Sequence, residues 1–222
     1  MIQFLNILFF FAAFILLLLV SISLPIAKNI KYFSLNAKFE AGVIASGVTG
    51  GVSFGNWGWC TTDLVVRVLG ISHTEPGECS KPKLGFKIDD RLVDLLHLEG
   101  LQDAIDDGLT FALVLNPIAC AIAFLAFLLA IWYASRKTRL SAFIGVGVSL
   151  LAAILTTIAF IIDITAMKIA KKNVEKISDN FSVVYGQTTW MTLGAMILLW
   201  FGVFLFCIVG FRGRRQRRKE TY

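Results

Sequence analysis

Four runs of apolar residues stand out along the chain: Phe4–Leu24, about Leu109–Tyr133, about Leu140–Ile162 and about Thr189–Phe211. Each is long enough to cross the apolar core of a bilayer, which takes about 20 helical residues. Backbone amides in lipid find no water, so these runs are expected as helices. Pro25 stops the first run, Asp163 closes the third, and Arg212 follows the fourth at once. No charge falls in the middle of any run. Ion and proton pathways usually place an ionisable side chain there, which argues against a pump or secondary transporter.

The first run has one feature of a signal peptide, the small-residue step Ser21-Ile22-Ser23. However, no Lys or Arg precedes it, and it exceeds the apolar length usual in such peptides. An uncleaved helix is expected.

The segment between the first two runs, Pro25–Gly108, is too long to be a simple connector. Phe39–Val52 mixes β-branched, aromatic and glycine residues. Val52-Ser53-Phe54-Gly55-Asn56-Trp57-Gly58-Trp59-Cys60 alternates apolar and small residues, as a half-buried strand does. A strand there would put Trp57 and Trp59 on one side. Asp63–Leu69 is a further strand, and the Pro-Gly in His73-Thr74-Glu75-Pro76-Gly77-Glu78 predicts a turn. Over Asp89–Asp107 the period changes. Leu92, Leu95, Leu96, Leu101 and Ile105 recur at helical spacing, predicting one or two short amphipathic helices, broken near Gly100, that lead through Gly108 into the second run.

Composition fits this picture. Of 222 residues, 57% are apolar and 16% charged, against about 25% charged in soluble domains. The mean hydropathy is +0.75. An ordinary soluble globular protein, a disordered chain and a secreted disulfide miniprotein are excluded on this basis. The net charge of +6 could suggest nucleic acid, but the positions of the charges speak for topology. Arg136, Lys137 and Arg139 lie between runs two and three. Arg212, Arg214, Arg215, Arg217, Arg218 and Lys219 follow run four. Basic residues gather on the cytosolic side, so both termini are expected in the cytosol. Residues 25–108, with eight basic and eleven acidic side chains, then lie outside. The second outer loop, 163–188, is shorter and carries Lys168, Lys171, Lys172 and Lys176. The basic tail is first a stop signal and second a stretch that attracts anionic lipid. Tethered to a helix, it does not read as a nucleic-acid site.

Cys60 and Cys79 are the two cysteines outside in this topology. In an oxidising compartment a disulfide between them is the default. Cys120 reads as helix packing. Cys207, near the inner end of run four and beside basic residues, is a palmitoylation candidate set against a plain apolar contact. Asn180-Phe181-Ser182 is the sole glycosylation sequon, close to run four. His73 lies near Glu75 and Glu78, and His97 between Asp94 and Glu99. Carboxylates favour the imidazolium, so either could titrate near neutral pH; two solvated histidines are the plainer reading. Small residues at Gly145, Ser149 and Ala153, and at Ala119, Ala123, Ala126 and Ala130, offer faces for close helix packing. No phosphate loop, nucleotide fingerprint or metal spacing is present. No catalytic group, cofactor, metal or small-molecule substrate is expected.

A four-run chain with a long first outer segment, an aromatic-Gly-aromatic-Cys strand and a second cysteine resembles the claudin-like tetraspans. Within that group it resembles the fungal PalI family of pH-response regulators. Gly51-Val52-Ser53-Phe54-Gly55-Asn56-Trp57-Gly58-Trp59-Cys60 matches the family's Gly-Val-x-Phe-Gly-x-aromatic-Gly-aromatic-Cys segment, so Gly55, Trp57, Gly58, Trp59 and Cys60 carry the motif. Leu8–Ile26, Asn116-Pro117-Ile118-Ala119 and Ile161-Ile162-Asp163-Ile164 add to the likeness, which extends to about residue 212. It implies polar contacts in the membrane at Asn116, Pro117 and Asp163. It implies a membrane four-helix bundle with a small extracellular claudin-like β-sheet. It also implies a non-enzymatic accessory role in ambient-pH signalling at the plasma membrane, beside a seven-helix PalH-like sensor. A structural tetraspan of plasma-membrane furrows, as in the sister Sur-type group, is the alternative, and a claudin-type adhesion protein a third.

Overall fold

The structure, a computed structural model, describes residues 2–24, 30–41, 46–62, 64–68, 71–80, 102–136, 139–177 and 181–219. The chain divides into two units. One comprises Met1–Ser21, Leu115–Phe160 and Met191–Tyr222; the other comprises Ile22–Val114 and Ile161–Trp190.

The first unit contains the four apolar runs as helices: α1 (Ile2–Ser21), α2 (Gln102–Arg136), α3 (Arg139–Ile177) and α4 (Gln187–Lys219), the last three extending beyond this unit. Their membrane-length apolar portions are Gln3–Ser21, Val114–Ser135, Ser141–Ile169 and Gln187–Ile208. All four sides of each run are apolar, so hydrophobicity does not choose the packed face. Side-chain size and polarity do. On α1 the buried positions are Asn6, Phe10, Ala13, Leu17 and Val20, alternating four and three residues apart. On α2 they include Ala119, Ala123, Ala126, Ala130 and Tyr133. This is the heptad seam of left-handed helix packing. Other large residues are exposed on the outer faces of the helices, among them Phe4, Phe143, Phe201 and Phe204.

The seam pairs small with large. A Cβ built on Gly145 of α3 would lie 2.5 Å from Phe206 Cζ, and one on Gly202 of α4 would lie 2.8 Å from the Phe10 ring. The Phe10 and Phe206 ring centroids are 6.2 Å apart, and Tyr133 lies tilted against Phe206 at 5.3 Å. Gly202→Leu is therefore expected to overpack the seam and cost about 1–3 kcal/mol. A lowered melting temperature of the detergent-solubilised chain would show it; an unchanged one would mean the glycine is not a packing residue.

Buried hydroxyls in these helices are satisfied locally. Thr156 Oγ1 donates to the Ala152 carbonyl at 2.8 Å, and Thr157 Oγ1 to that of Ala153 at 2.7 Å. Trp200 Nε1 of α4 donates to Thr157 Oγ1 at 3.2 Å, a polar link between α3 and α4.

The second unit holds a six-stranded antiparallel sheet: β1 (Phe33–Ala41), β2 (Ser46–Phe54), β3 (Trp59–Thr61), β4 (Leu64–Val68), β5 (Ile71–Glu75) and β6 (Phe181–Tyr185). The order is β5-β4-β2-β1-β6, with β3 pairing off β2. The register sorts the sequence into two faces. One carries Leu35, Phe39, Val48, Val52, Phe54, Val66 and Val183; the other carries Ser34, Asn36, Lys38, Thr49, Ser53, Arg67 and Ser182. Period-two patterning is clearest on β1 and β2; Val65 and Val184 fall on the polar face, and His73 and Glu75 on the apolar one.

Several expected boundaries differ. The stretch expected as a turn from His73 is strand β5 up to Glu75, because Ile71–Glu75 pairs with β4 along its whole length. The second outer loop is largely helix: α3 runs past Asp163 to Ile177. Nothing in Ile164–Ile177 breaks a helix, since it holds neither Gly nor Pro. β6 closes that loop and pairs with β1. Likewise α2 begins at Gln102, so Ile105 and Gly108 lie in it; the helices expected earlier in residues 89–101 lie outside the described residues.

Candidate functional site

The motif stretch Val52–Cys60 is a hairpin, not one strand. β2 ends at Phe54, Gly55-Asn56-Trp57-Gly58 turns, and β3 starts at Trp59. The Gly55 amide donates to the Gly58 carbonyl at 2.8 Å, closing the turn. Gly58 has φ 157°, a conformation that side chains disfavour. Trp57 therefore sits in the turn and Trp59 in β3, opposite Phe54, so the two do not share one strand face. Two glycines with turn geometry between them interrupt what looked like simple alternation.

The turn is strapped to the segment just after α1. The Asn56 amide donates to Ser23 Oγ at 2.8 Å and the Trp57 amide to the Leu24 carbonyl at 3.0 Å. Gly55 lies against the Leu24 backbone so closely that any Cβ would overlap it. Ser23 and Asn56 are fully buried. The motif glycine is thus required by the close approach of two backbones.

Cys60 and Cys79 form a disulfide. Cys60 is buried and Cys79 exposed. The two are directly opposed in an antiparallel bridge, and hydrogen bonds flank them on both sides. Thr61 N donates to the Glu78 carbonyl at 2.9 Å, Ser80 N to the Trp59 carbonyl at 2.9 Å, and Trp59 N to Ser80 Oγ at 3.1 Å. The disulfide and these bonds fasten Glu78–Ser80 alongside β3.

A second polar locus lies where β1, α3 and the start of α4 meet within this unit. Tyr32 is buried; its amide donates to the Phe54 carbonyl at 2.8 Å, and its carbonyl accepts from the Gly186 amide at 2.9 Å. Burial, and then the nearby Asp163 carboxylate, push the Tyr32 phenol well above its ordinary pKa. It therefore stays neutral through mildly alkaline pH and is no alkaline switch. Thr188 Oγ1 donates to the Lys31 carbonyl at 3.1 Å. Asp163 is 5% exposed, in the interior of α3 and not at its end. The polar contact expected at Asp163 thus has Tyr32 in its surroundings.

Of the remaining expected residues, Asn116 is 1% exposed and Pro117 lies within α2, which continues through it. Cys207 is half-buried and packs against the bundle core; Cys120 is buried. Arg136 ends α2 and Arg139 begins α3, while Arg212, Arg214, Arg215, Arg217, Arg218 and Lys219 continue α4 as helix. His73 lies in β5, in register with Val66 on the largely apolar face. Lys137, Asn180 and His97 lie outside the described residues. Among the described residues no three His, Cys, Asp or Glu side chains gather as a metal site would need.

Four membrane-length helices and a sheet stapled by one disulfide define a multi-pass tetraspan membrane protein. The chain matches the model of the SUR7/PalI family over residues 2–209, nearly its whole length, and belongs to that family. No curated protein sequence matches it. Membership of this family supports a membrane protein with a general accessory or structural role.

Proposed function

We propose that the chain is a plasma-membrane accessory protein of fungal ambient-pH signalling, which helps a seven-helix sensor reach or remain at the cell surface. The observation that carries this reading is family membership over residues 2–209, taken with the PalI-type segment Gly51–Cys60. In this reading the sheet unit faces outward and both termini face the cytosol. The Cys60–Cys79 disulfide supports the oxidising side for the sheet, and six basic residues after Phe211 support the cytosolic side for the tail. The partner is held by helix faces and the sheet, with no chemical step.

A second reading rests on the same family, which also embraces the SUR7 group. In it the chain is a structural tetraspan of furrow domains that supports the cell wall. Growth of a deletion strain separates the two. The accessory reading expects failure at alkaline pH with normal growth at acid pH. Equal growth at both, with sensitivity to wall stress, would favour the furrow reading.

A further inference from the structure

The two halves of the Cys60–Cys79 bridge stand in different surroundings. Cys60 is 8% exposed, whereas Cys79 is exposed. The segments that carry them are held together by bonds in which neither sulfur takes part. Thr61 N donates to the Glu78 carbonyl, Ser80 N to the Trp59 carbonyl and Trp59 N to Ser80 Oγ. Thr61 Oγ1 accepts from the Glu78 amide at 2.8 Å and donates to the Glu78 carbonyl at 3.1 Å. Gly77 lies against the Thr61 carbonyl so closely that any Cβ would overlap it.

The backbone bonds fall on the residues either side of the cysteines. Cys60 and Cys79 therefore occupy the non-hydrogen-bonded position of an antiparallel pair. Facing side chains come closest at such a position. The clamp thus brings the two sulfurs face to face whether or not a bond joins them. In thiol–disulfide exchange, access helps decide which sulfur reacts. An oxidant that carries a disulfide must touch the first thiol it oxidises. In the clamped, reduced chain that thiol is Cys79, because Cys60 is covered. Cys60 needs no contact with the oxidant. Its target is Cys79 Sγ, already opposite, and a reaction between groups so placed gains the advantage of an intramolecular step.

We infer that Cys79 is the entry sulfur of this bridge: a disulfide-bearing oxidant of the outer compartment bonds Cys79 first, and Cys60 then displaces it. The Cys79 thiol loses its proton to water and attacks one sulfur of the oxidant's disulfide. A mixed disulfide forms, and the oxidant's other sulfur leaves as a thiolate and takes up a proton. The Cys60 thiol then loses its proton, attacks Cys79 Sγ and expels the oxidant's remaining sulfur as a second thiolate. Two cysteine thiols are oxidised to one disulfide, and the oxidant's disulfide is reduced to two thiols. The presence of the oxidant rests on the outward sheet of the reading above; the order of the two sulfurs rests on the clamp alone.

The test uses the full chain in detergent as Cys60→Ser and as Cys79→Ser, each keeping one of the two sulfurs, with oxidised glutathione as the probe. Peptide mass mapping locates the adducts and separates them from Cys120 and Cys207. Glutathione is expected on Cys79 of Cys60→Ser at least ten times faster than on Cys60 of Cys79→Ser, and Cys60 is expected to react once urea unfolds the chain. A misfolded variant could expose either sulfur, so the intact chain is also reduced and given a brief pulse of iodoacetamide. Alkylation of Cys79 is expected to exceed that of Cys60 by a similar factor. Equal rates in either arm, or faster reaction at Cys60, would overturn the entry role of Cys79. Because the probe is supplied in solution, the result does not depend on which side of the membrane the sheet faces. A preference for Cys79 in a chain whose sheet proved cytosolic would overturn the orientation, and with it the oxidant, but not the order of the sulfurs.

Discussion

Gly55→Val is expected to prevent the sheet unit from folding. The position has no room for even one carbon, because the Leu24 backbone occupies the space. A flexible side chain could swing away; this backbone is held by the Trp57 amide on the Leu24 carbonyl and by Ser23 on Asn56. Overpacking a site that can yield costs about 1–3 kcal/mol. Here the turn must detach from Ser23–Leu24, so about 3 kcal/mol or more is expected, comparable with the loss of the disulfide. The measurement is the yield of folded, surface-delivered protein together with protection of the Cys60–Cys79 bridge from mild reductant. Normal delivery and protection in Gly55→Val would show that the motif glycine is kept for some other reason than close approach.

Cys60→Ser is expected to be the next most damaging change. The bridge closes a separation of 19 residues, for which loop-closure entropy gives about 3 kcal/mol. The loss is not complete disorder of Pro76–Ser80, because Thr61 and Trp59 still bond Glu78 and Ser80. Cys79→Ser should give the same loss, and the double variant no more than either single one, since all three remove one bond. Mobility on non-reducing gels and thermal denaturation of the three variants check this. A double variant much less stable than either single one would contradict a shared bridge as the source of the effect.

The sequence made some features plain and concealed others, for physical reasons. The four helices were legible because the bilayer demands long apolar runs, and few other structures need them. Which faces meet was harder, since every face is apolar. The usable signal was the small and hydroxyl side chains: the stripes at Ala119, Ala123, Ala126 and Ala130 and at Gly145, Ser149 and Ala153 are buried. Asn6 and Thr192 continue the same logic on α1 and α4. The outer part of α3 was hidden because lysines suggest loop, whereas helix needs only compatible residues and a started turn. β6 is Phe181-Ser182-Val183-Val184-Tyr185, with Phe181, Val183 and Tyr185 on one face. Its partner β1 lies far back in the chain, and such pairing leaves no local trace. The motif segment Val52–Cys60 is legible as a motif but its hairpin shape is not, because Gly58 acts through its backbone angle and Gly55 through a neighbour distant in sequence.

These features bear on function through one link. The motif residues hold a turn against Ser23–Leu24 and start the strand that carries the disulfide, so they secure the sheet. If the sheet and helix faces serve a sensor, damage at Gly55 or Cys60 should act on the sensor's location and leave its synthesis unchanged. The most direct test is to image a fluorescently tagged PalH-like sensor in cells lacking this chain, at acid and alkaline pH. The account predicts that the sensor leaves the cell surface and returns when the intact chain is restored, but not when Cys60→Ser is supplied. A sensor that remains at the surface in the deletion, at both pH values, would contradict it.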